Sequence, residues 1–288
     1  MERRTRTLLA LAGACVLLFG LVLAGAYAWG PGSSVDHLGL SGFVSIDNRS
    51  VREVAWRLID LGNPMQVILI TGVLAALAVA RGRPRVALVV IALVGLTSVS
   101  SQVLKELLAH GRYSAELGWV VGPDAFPSGH ATAAMALALA GVFAAPRRAR
   151  LPAAVVGSLL ALGVGASAVV IGWHFPSDVL GGYLLATGWA FLLAALLHEA
   201  DRRFPARRRW ASTAFARASD RIAAGGLSAA AVAGTVVAVV AALGAVGGAP
   251  GGLADYAREH TGFVVVAAAV ASTALALPVA MAALLRRG

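Results

Sequence analysis

Apolar residues run along this chain in long unbroken blocks. Windows free of Asp, Glu, Lys and Arg cover residues 7–29, 61–80, 86–104, 125–146, 151–173, 179–197, 222–254 and 261–285. A helix rises about 1.5 Å per residue, so ~20 apolar residues cross the ~30 Å hydrocarbon layer. The pattern therefore predicts eight spans. Backbone polar groups in lipid must find partners within the segment, which makes these windows helices. No period-2 alternation suggests a membrane barrel. The expected fold class is all-α, a polytopic transmembrane bundle. Its parts are a six-helix core (1–198), a basic linker (199–221) and a C-terminal two-helix hairpin (222–288). Gly163 and Ser167, four apart, predict close helix contact. The first window follows Arg3, Arg4 and Arg6, but its 23 residues are long for a signal peptide, and it reads as a retained helix.

One segment between windows has its own periodicity. Val51, Val54, Ala55, Leu58 and Ile59 recur at helical spacing, with Arg52, Glu53, Arg57 and Asp60 between them. This predicts a short amphipathic surface helix, with Ser50 and Glu53 in a capping box.

Composition agrees with the membrane reading. The chain is 59% hydrophobic and 13% charged, with mean hydropathy +0.80. Soluble domains carry about 25% charged residues. The net charge of +10 would suggest nucleic acid in a soluble protein. If the N-terminus is cytoplasmic and eight spans alternate, however, 18 of the 24 basic residues fall on the inner side. That is the positive-inside pattern, and it replaces the nucleic-acid reading. A multi-pass protein of the cell membrane is expected, with both termini cytoplasmic. The sequence does not specify an oligomeric state. The lone Cys15 offers neither a disulfide framework nor a metal site.

No ionisable residue sits mid-window, which weighs against a transporter. Polar residues gather instead at the outer ends of spans three to six. Lys105, His110 and Arg112 form one group, Pro127-Ser128-Gly129-His130 a second, and His174 with Asp178 a third. The second group opens a helix, whose free N–H groups favour an anion. Ser128 there can cap the helix or donate to an oxyanion, and Gly129 permits close approach. Pro176 suits the first helical turn, placing His174 just before it and Asp178 within it. A carboxylate near an imidazole can fix its tautomer; alternatively, Asp178 serves only the helix dipole. Lys105 is the single lysine among 24 basic residues, which marks it as a chemical choice. Lys105 and Arg112 together could neutralise a phosphate.

These three groups resemble the signature of the type 2 phosphatidic-acid phosphatase superfamily, whose members are metal-independent integral membrane lipid phosphatases. The resemblance spans roughly residues 7–198 and rests on Lys105 to Arg112, Phe126-Pro-Ser-Gly-His-Ala-Thr and His174-Phe-Pro-Ser-Asp-Val-Leu-Gly-Gly. It implies His174 as a nucleophile forming phosphohistidine, Asp178 as its orienting partner and His130 as the acid for the leaving group. Lys105, Arg112, Ser128 and the Gly129 backbone would hold the phosphoryl group. No cofactor or metal is implied. The substrate would be a lipid phosphate or pyrophosphate in the bilayer: an undecaprenyl-type carrier, phosphatidic acid or phosphatidylglycerol phosphate. The active site would face the extracytoplasmic side.

Two positions depart from that pattern. Tyr113 stands where the family usually has Pro, and Ser167-Ala168 where it has Ser-Arg. The absent Arg would bind phosphate. Losing one or two charge-assisted hydrogen bonds, each ~1.5–3 kcal/mol, weakens transition-state binding ~10- to 10⁴-fold. His110 is the nearest candidate to compensate. Ala168 also supports a second reading, a lipid-phosphate-binding membrane protein with little or no turnover.

Overall fold

The computed structural model describes residues 2–46, 48–114, 117–205, 258 and 261–286. The helices are α1 (Arg3–Tyr27), α2 (Gly30–Val44), α3 (Arg49–Ile59), α4 (Pro64–Ala80), α5 (Pro84–Leu107), α6 (Gly129–Ala144), α7 (Arg150–Val170), α8 (Pro176–Arg203) and α9 (Thr261–Arg286). A short turn, Asp60–Gly62, links α3 to α4. Between α5 and α6 lies a small antiparallel hairpin, β1 (Arg112–Ser114) with β2 (Trp119–Val121), in which Tyr113 faces Val120. The fold is thus all-α apart from one hairpin.

Seven of the eight predicted windows hold a helix, and the window 222–254 lies outside the described residues. Among the described residues, five helices are long and apolar enough to cross a membrane. The α3–α4 pair, bent by 58°, makes a sixth if taken as one span. This count does not confirm the expected total of eight, since one of the eight windows lies outside the described residues. The difference comes partly from α6, which at 16 residues is shorter than a full crossing. It comes also from α4, whose 17 residues are lengthened only by the bent α3 before it.

Burial is graded as a lipid-embedded bundle requires. α6 is the central helix, buried along most of its length and packed against α4, α5, α7 and α8. On α1, α4 and α5 large apolar side chains face outward, including Leu17, Ile68 and Leu88, each about two-thirds exposed or more. Lipid, as their solvent, makes that exposure harmless. Hydroxyls inside the helices bond back to their own chain: Thr71 to the Val67 carbonyl at 2.6 Å, Thr97 to Leu93 at 2.7 Å and Thr187 to Tyr183 at 2.7 Å. Few polar groups are therefore left seeking partners across the core.

One local expectation needs correction. The cap of α3 is Asn48, whose side chain accepts from the Ser50 and Val51 N–H groups, not the expected Ser50–Glu53 box. Glu53 instead pairs with Arg49 one turn back, at 2.9 Å. The 30–48 stretch, for which the sequence pattern predicts no element, holds a 15-residue helix, α2. Gly163 faces Leu58 of α3, and the Ser167 hydroxyl bonds to the Gly163 carbonyl at 2.7 Å. A Cβ on Gly163 would lie 3.3 Å from Leu58, so the expected close contact is made with α3, and closer ones lie elsewhere on α7. A Cβ on Gly157 would stand 2.8 Å from Ala138 Cα of α6, and one on Gly165 2.7 Å from Val179 and closer still to the Tyr183 hydroxyl of α8.

α9 lies along α2, α7 and α8. Gly39 and Gly42 of α2 allow this approach, since a Cβ at either would overlap Val266 or Phe263. The rings of Phe43 and Phe263 meet at 4.9 Å.

Gly165→Leu should drive Tyr183 off the Ala161 carbonyl, to which its hydroxyl now donates at 2.6 Å. Overpacking of this kind costs ~1–3 kcal/mol. A lower midpoint in thermal unfolding of the detergent-purified chain is expected; an unchanged midpoint would contradict the α7–α8 contact.

Candidate active site

His174 is held by the way one helix ends and the next begins. Gly172, at φ +80°, closes α7: its N–H reaches the Val169 carbonyl at 2.9 Å, and the Trp173 N–H reaches Ala168 at 3.1 Å. This paired pattern is a Schellman cap, which needs a left-handed residue that glycine supplies. Four residues after Gly172, Pro176 starts α8. His174 therefore sits in a two-residue corner with little freedom, its own N–H 3.3 Å from the Ala168 carbonyl.

Asp178, in the first turn of α8, is wholly buried. Its Oδ2 accepts from the Phe175 N–H at 2.8 Å, satisfying an orphan donor at the helix start. The same oxygen lies 3.5 Å from His174 Nδ1, close to hydrogen-bonding range but not in it. Catalytic hydrogen bonds are commonly long in unliganded sites. Asp178 thus both caps the helix and stands beside the imidazole.

The other oxygen of Asp178 takes Arg112 Nη2 at 2.5 Å. Arg112 Nη1 reaches Asp36 Oδ2 of α2 at 2.6 Å and the Ser177 hydroxyl at 3.3 Å. Asp36 also accepts from the Ser177 N–H at 2.9 Å and its hydroxyl at 2.6 Å. The guanidinium carbon lies 3.9 Å from the Phe175 ring centre and 4.9 Å from that of Tyr27. Burial pushes the Asp36 carboxyl above its ordinary range, against the pull of Arg112 and the Ser177 hydrogen bonds. Arg112, expected as an open phosphate ligand, is buried here and engaged by two carboxylates.

A second cluster surrounds the start of α6. Ser128 is its N-cap, wholly buried, with Oγ accepting from the Ala131 N–H at 3.4 Å. The Ser128 N–H donates to the Asp178 carbonyl at 2.9 Å, tying the α6 start to the α8 start. A Cβ on Gly129 would lie 3.7 Å from Lys105 Nζ, so the ammonium sits over this bare backbone. His130 Nε2 is 3.3 Å from Asn63 Oδ1, and Gly62 packs directly on its ring. The ring of Trp173 lies 5.8 Å from that of His130, and the titratable neighbours acting on His130 are His174, Lys105 and Asp60. The two clusters therefore face each other through the His174 corner.

Lys105, Ser128, Gly129, His130, His174 and Asp178 thus gather at one end of the bundle. His110 is exposed, its ring 5.8 Å from that of Tyr27. Ala168 is wholly buried beneath the His174 corner. Sequence reasoning missed Asp36, Ser177 and Asn63. Only Asp36 left a signal, as a lone acid in the apolar stretch 30–44. Among the described residues no group of three or more His, Cys, Asp or Glu could hold a metal ion.

A cavity of about 690 Å³ opens beside this cluster. Lys105, Gly129 and His130 line one part of it, and Val67, Ile68 and Val94 of α4 and α5 line another. It joins a cationic, donor-rich end to apolar walls.

No curated protein matches the chain. Among solved structures, the crystal structure of the first transmembrane PAP2 type phosphatidylglycerolphosphate phosphatase, from Bacillus subtilis, is similar in fold. The TM-score is 0.53 at 23% identity, covering 69% of this chain and 98% of that one. The family model of the PAP2 superfamily matches residues 59–202, half of the sequence and the stretch that carries all three polar groups. This multi-pass membrane chain belongs to the PAP2 superfamily.

Proposed function

We propose that the protein is a membrane lipid phosphatase that removes phosphate, from a monoester or a pyrophosphate, through a phosphohistidine at His174. The observation that carries this reading is the 690 Å³ cavity, in which Lys105 and His130 share one space with apolar helix faces. A lipid whose phosphate lies at the cationic end would rest its tail on α4 and α5. Polyprenyl pyrophosphate and phosphatidic-acid-type substrates both fit that description.

In this mechanism His174 Nε2 attacks phosphorus while Asp178 takes the hydrogen bond of Nδ1–H. The bond from phosphorus to the leaving oxygen breaks, and His130 gives that oxygen a proton. Water then attacks the phosphohistidine, His130 accepts its proton, and phosphate leaves. Splitting the transfer into two displacements lowers each barrier, and fixed positive charge stabilises the oxygens. Lys105 and the α6 N-terminus supply that charge. Arg112 acts at one remove, as a positioning residue that holds Asp178 from the side opposite His174. No protein metal enters the scheme. The charge distribution along the chain supports an extracytoplasmic site, and residues 1–198 carry the whole of it.

Ala168 and the engaged state of Arg112 favour a second reading, a lipid-phosphate binder with little turnover. Phosphate release by the purified chain from dispersed lipid phosphates separates the two. His174→Ala should lower release at least ~10³-fold. Equal release from both proteins would end the enzyme reading. Activity should also persist in EDTA, and its loss there would sink the metal-free mechanism.

Asp36→Asn keeps the shape but removes one charge from Arg112. A fall in kcat of about 10-fold with KM within ~2-fold is expected, because Asp36 touches no substrate. A lower unfolding midpoint with unchanged kcat would reduce Asp36 to a structural role.

A further inference from the structure

The ends of the helices remote from His174 enclose a second cavity, of about 1260 Å³. The starts of α1 and α5 and the ends of α8 and α9 form it, whereas the other ends of α1, α5 and α8 reach the His174 site. Six arginines line it, Arg3, Arg4, Arg83, Arg85, Arg147 and Arg150, against two carboxylates, Glu2 and Asp201. Both carboxylates are already engaged. Asp201 takes Arg85 at 2.7 Å, and Glu2 takes Arg202 and His198 at 3.1 Å each. Among the described residues Arg3, Arg4, Arg147 and Arg150 form no ion pair.

Three of these arginines reach only the carbonyls that end α9. Arg4 donates to Leu284 at 2.8 Å, Arg147 to Arg286 at 2.7 Å, and Arg150 to Leu285. A helix C-terminus carries about half a negative charge, too little for several guanidinium groups around one space. Arg150 is nine-tenths buried, and its Nε has no hydrogen-bond partner. A buried charged donor left unpaired is costly, and a bound acceptor would relieve it. The cavity also exceeds the ~300–1,000 Å³ usual for small-ligand sites.

We infer that this cavity is a binding site for a phosphate-bearing anion, the headgroup of an anionic phospholipid seated among Arg3, Arg4, Arg147 and Arg150. It depends on α1 and α9, which lie outside the matched stretch 59–202. It is separate from the phosphatase reading, because phosphatidylglycerol carries a diester phosphate that such an enzyme does not cleave.

The test uses the full chain in neutral detergent and native mass spectrometry. Dioleoylphosphatidylglycerol, dioleoylphosphatidylcholine and inorganic pyrophosphate are titrated separately. Phosphatidylglycerol should bind at least ~10-fold tighter than phosphatidylcholine, as charge-assisted hydrogen bonds to guanidinium groups require. That preference should vanish in an Arg3→Gln, Arg147→Gln double variant, whose altered side chains are exposed, and should survive in Arg148→Gln outside the cavity. Pyrophosphate binding that is lost in the same double variant would support the site with free phosphate as its ligand. Equal binding of the two lipids, or a preference that persists in the double variant, overturns the proposal. A photoreactive phosphatidylglycerol on the unaltered protein gives a second measure. Labelling should fall on the segments around Arg3, Arg83, Arg147 and Leu284, and labelling elsewhere overturns it equally.

Discussion

A guanidinium buried between two carboxylates sets the geometry on which the candidate site depends. Arg112 is bonded at once to Asp36 of α2 and Asp178 of α8, and it projects from the β-hairpin between α5 and α6. Three charges in a dry interior are tolerated only when each is paired and hydrogen-bonded. Removing one leaves the others exposed to the full desolvation penalty, typically ~3–5 kcal/mol. The three elements therefore move as a unit. Asp178 is fixed by this unit, and the position of Asp178 fixes which side of His174 can receive a hydrogen bond.

The same pairing decides where positive charge is available for an anion. With Arg112 between two carboxylates, that buried trio carries an excess of negative charge. A phosphate near His174 must then rely on Lys105 and on the open N–H groups of α6. The Ser128 oxygen accepts at its cap, which leaves its O–H and the backbone around Gly129 as donors for an oxyanion. At Ala168, where the family has Arg, the backbone carbonyl rather than a side chain is engaged, holding Trp173 and His174. The site thus has fewer free cations than the sequence pattern implies, and a carboxylate beside His174 that is held by Arg112.

How far the chain could be read follows from which forces act locally. Lipid imposes a length and polarity rule on every span, so the helices over 7–29, 86–104, 151–173 and 179–197 were legible to within a few residues. His174, Asp178, Ser128 and His130 were legible because helix-start chemistry places them within a few positions of Pro176 or of one another. α2 was not legible. Its sequence GPGSSVDHLGLSGFV is rich in glycine and serine and has little intrinsic preference for a helix. It is a helix because Gly39 and Gly42 let α9 lie against it, more than 200 residues away in sequence. Asp36 could not be recognised as a partner of Arg112 for the same reason, since the ion pair exists only after both helices have docked. Spacing identified Gly163 as a small contact residue, but not that the neighbour it faces is Leu58 of α3.

Charge sorting gains a second meaning from the helix ends remote from His174. Positive charge on one side is usually read as a topology signal alone. Here Arg83 donates to the Phe143, Ala144 and Ala145 carbonyls at the end of α6, while Arg4, Arg147 and Arg150 do so for α9. A helix ending in lipid headgroups leaves four carbonyls unpaired, and arginine can reach several at once. The same side chains that the sequence pattern reads as topology signals therefore also close these helices. This arrangement concentrates cations around one cavity beyond what the carbonyls neutralise. The opposite end is built the other way, with two carboxylates closing around one arginine. Among the described residues, arginines thus outnumber acids around the remote cavity, while the buried trio at the His174 end is net negative. An anion is drawn to the far end by the bulk of the charge, but to the His174 end only by Lys105 and a helix terminus. On the phosphatase reading, a lipid phosphate would reach the His174 end with its tail along the apolar cavity walls of α4 and α5.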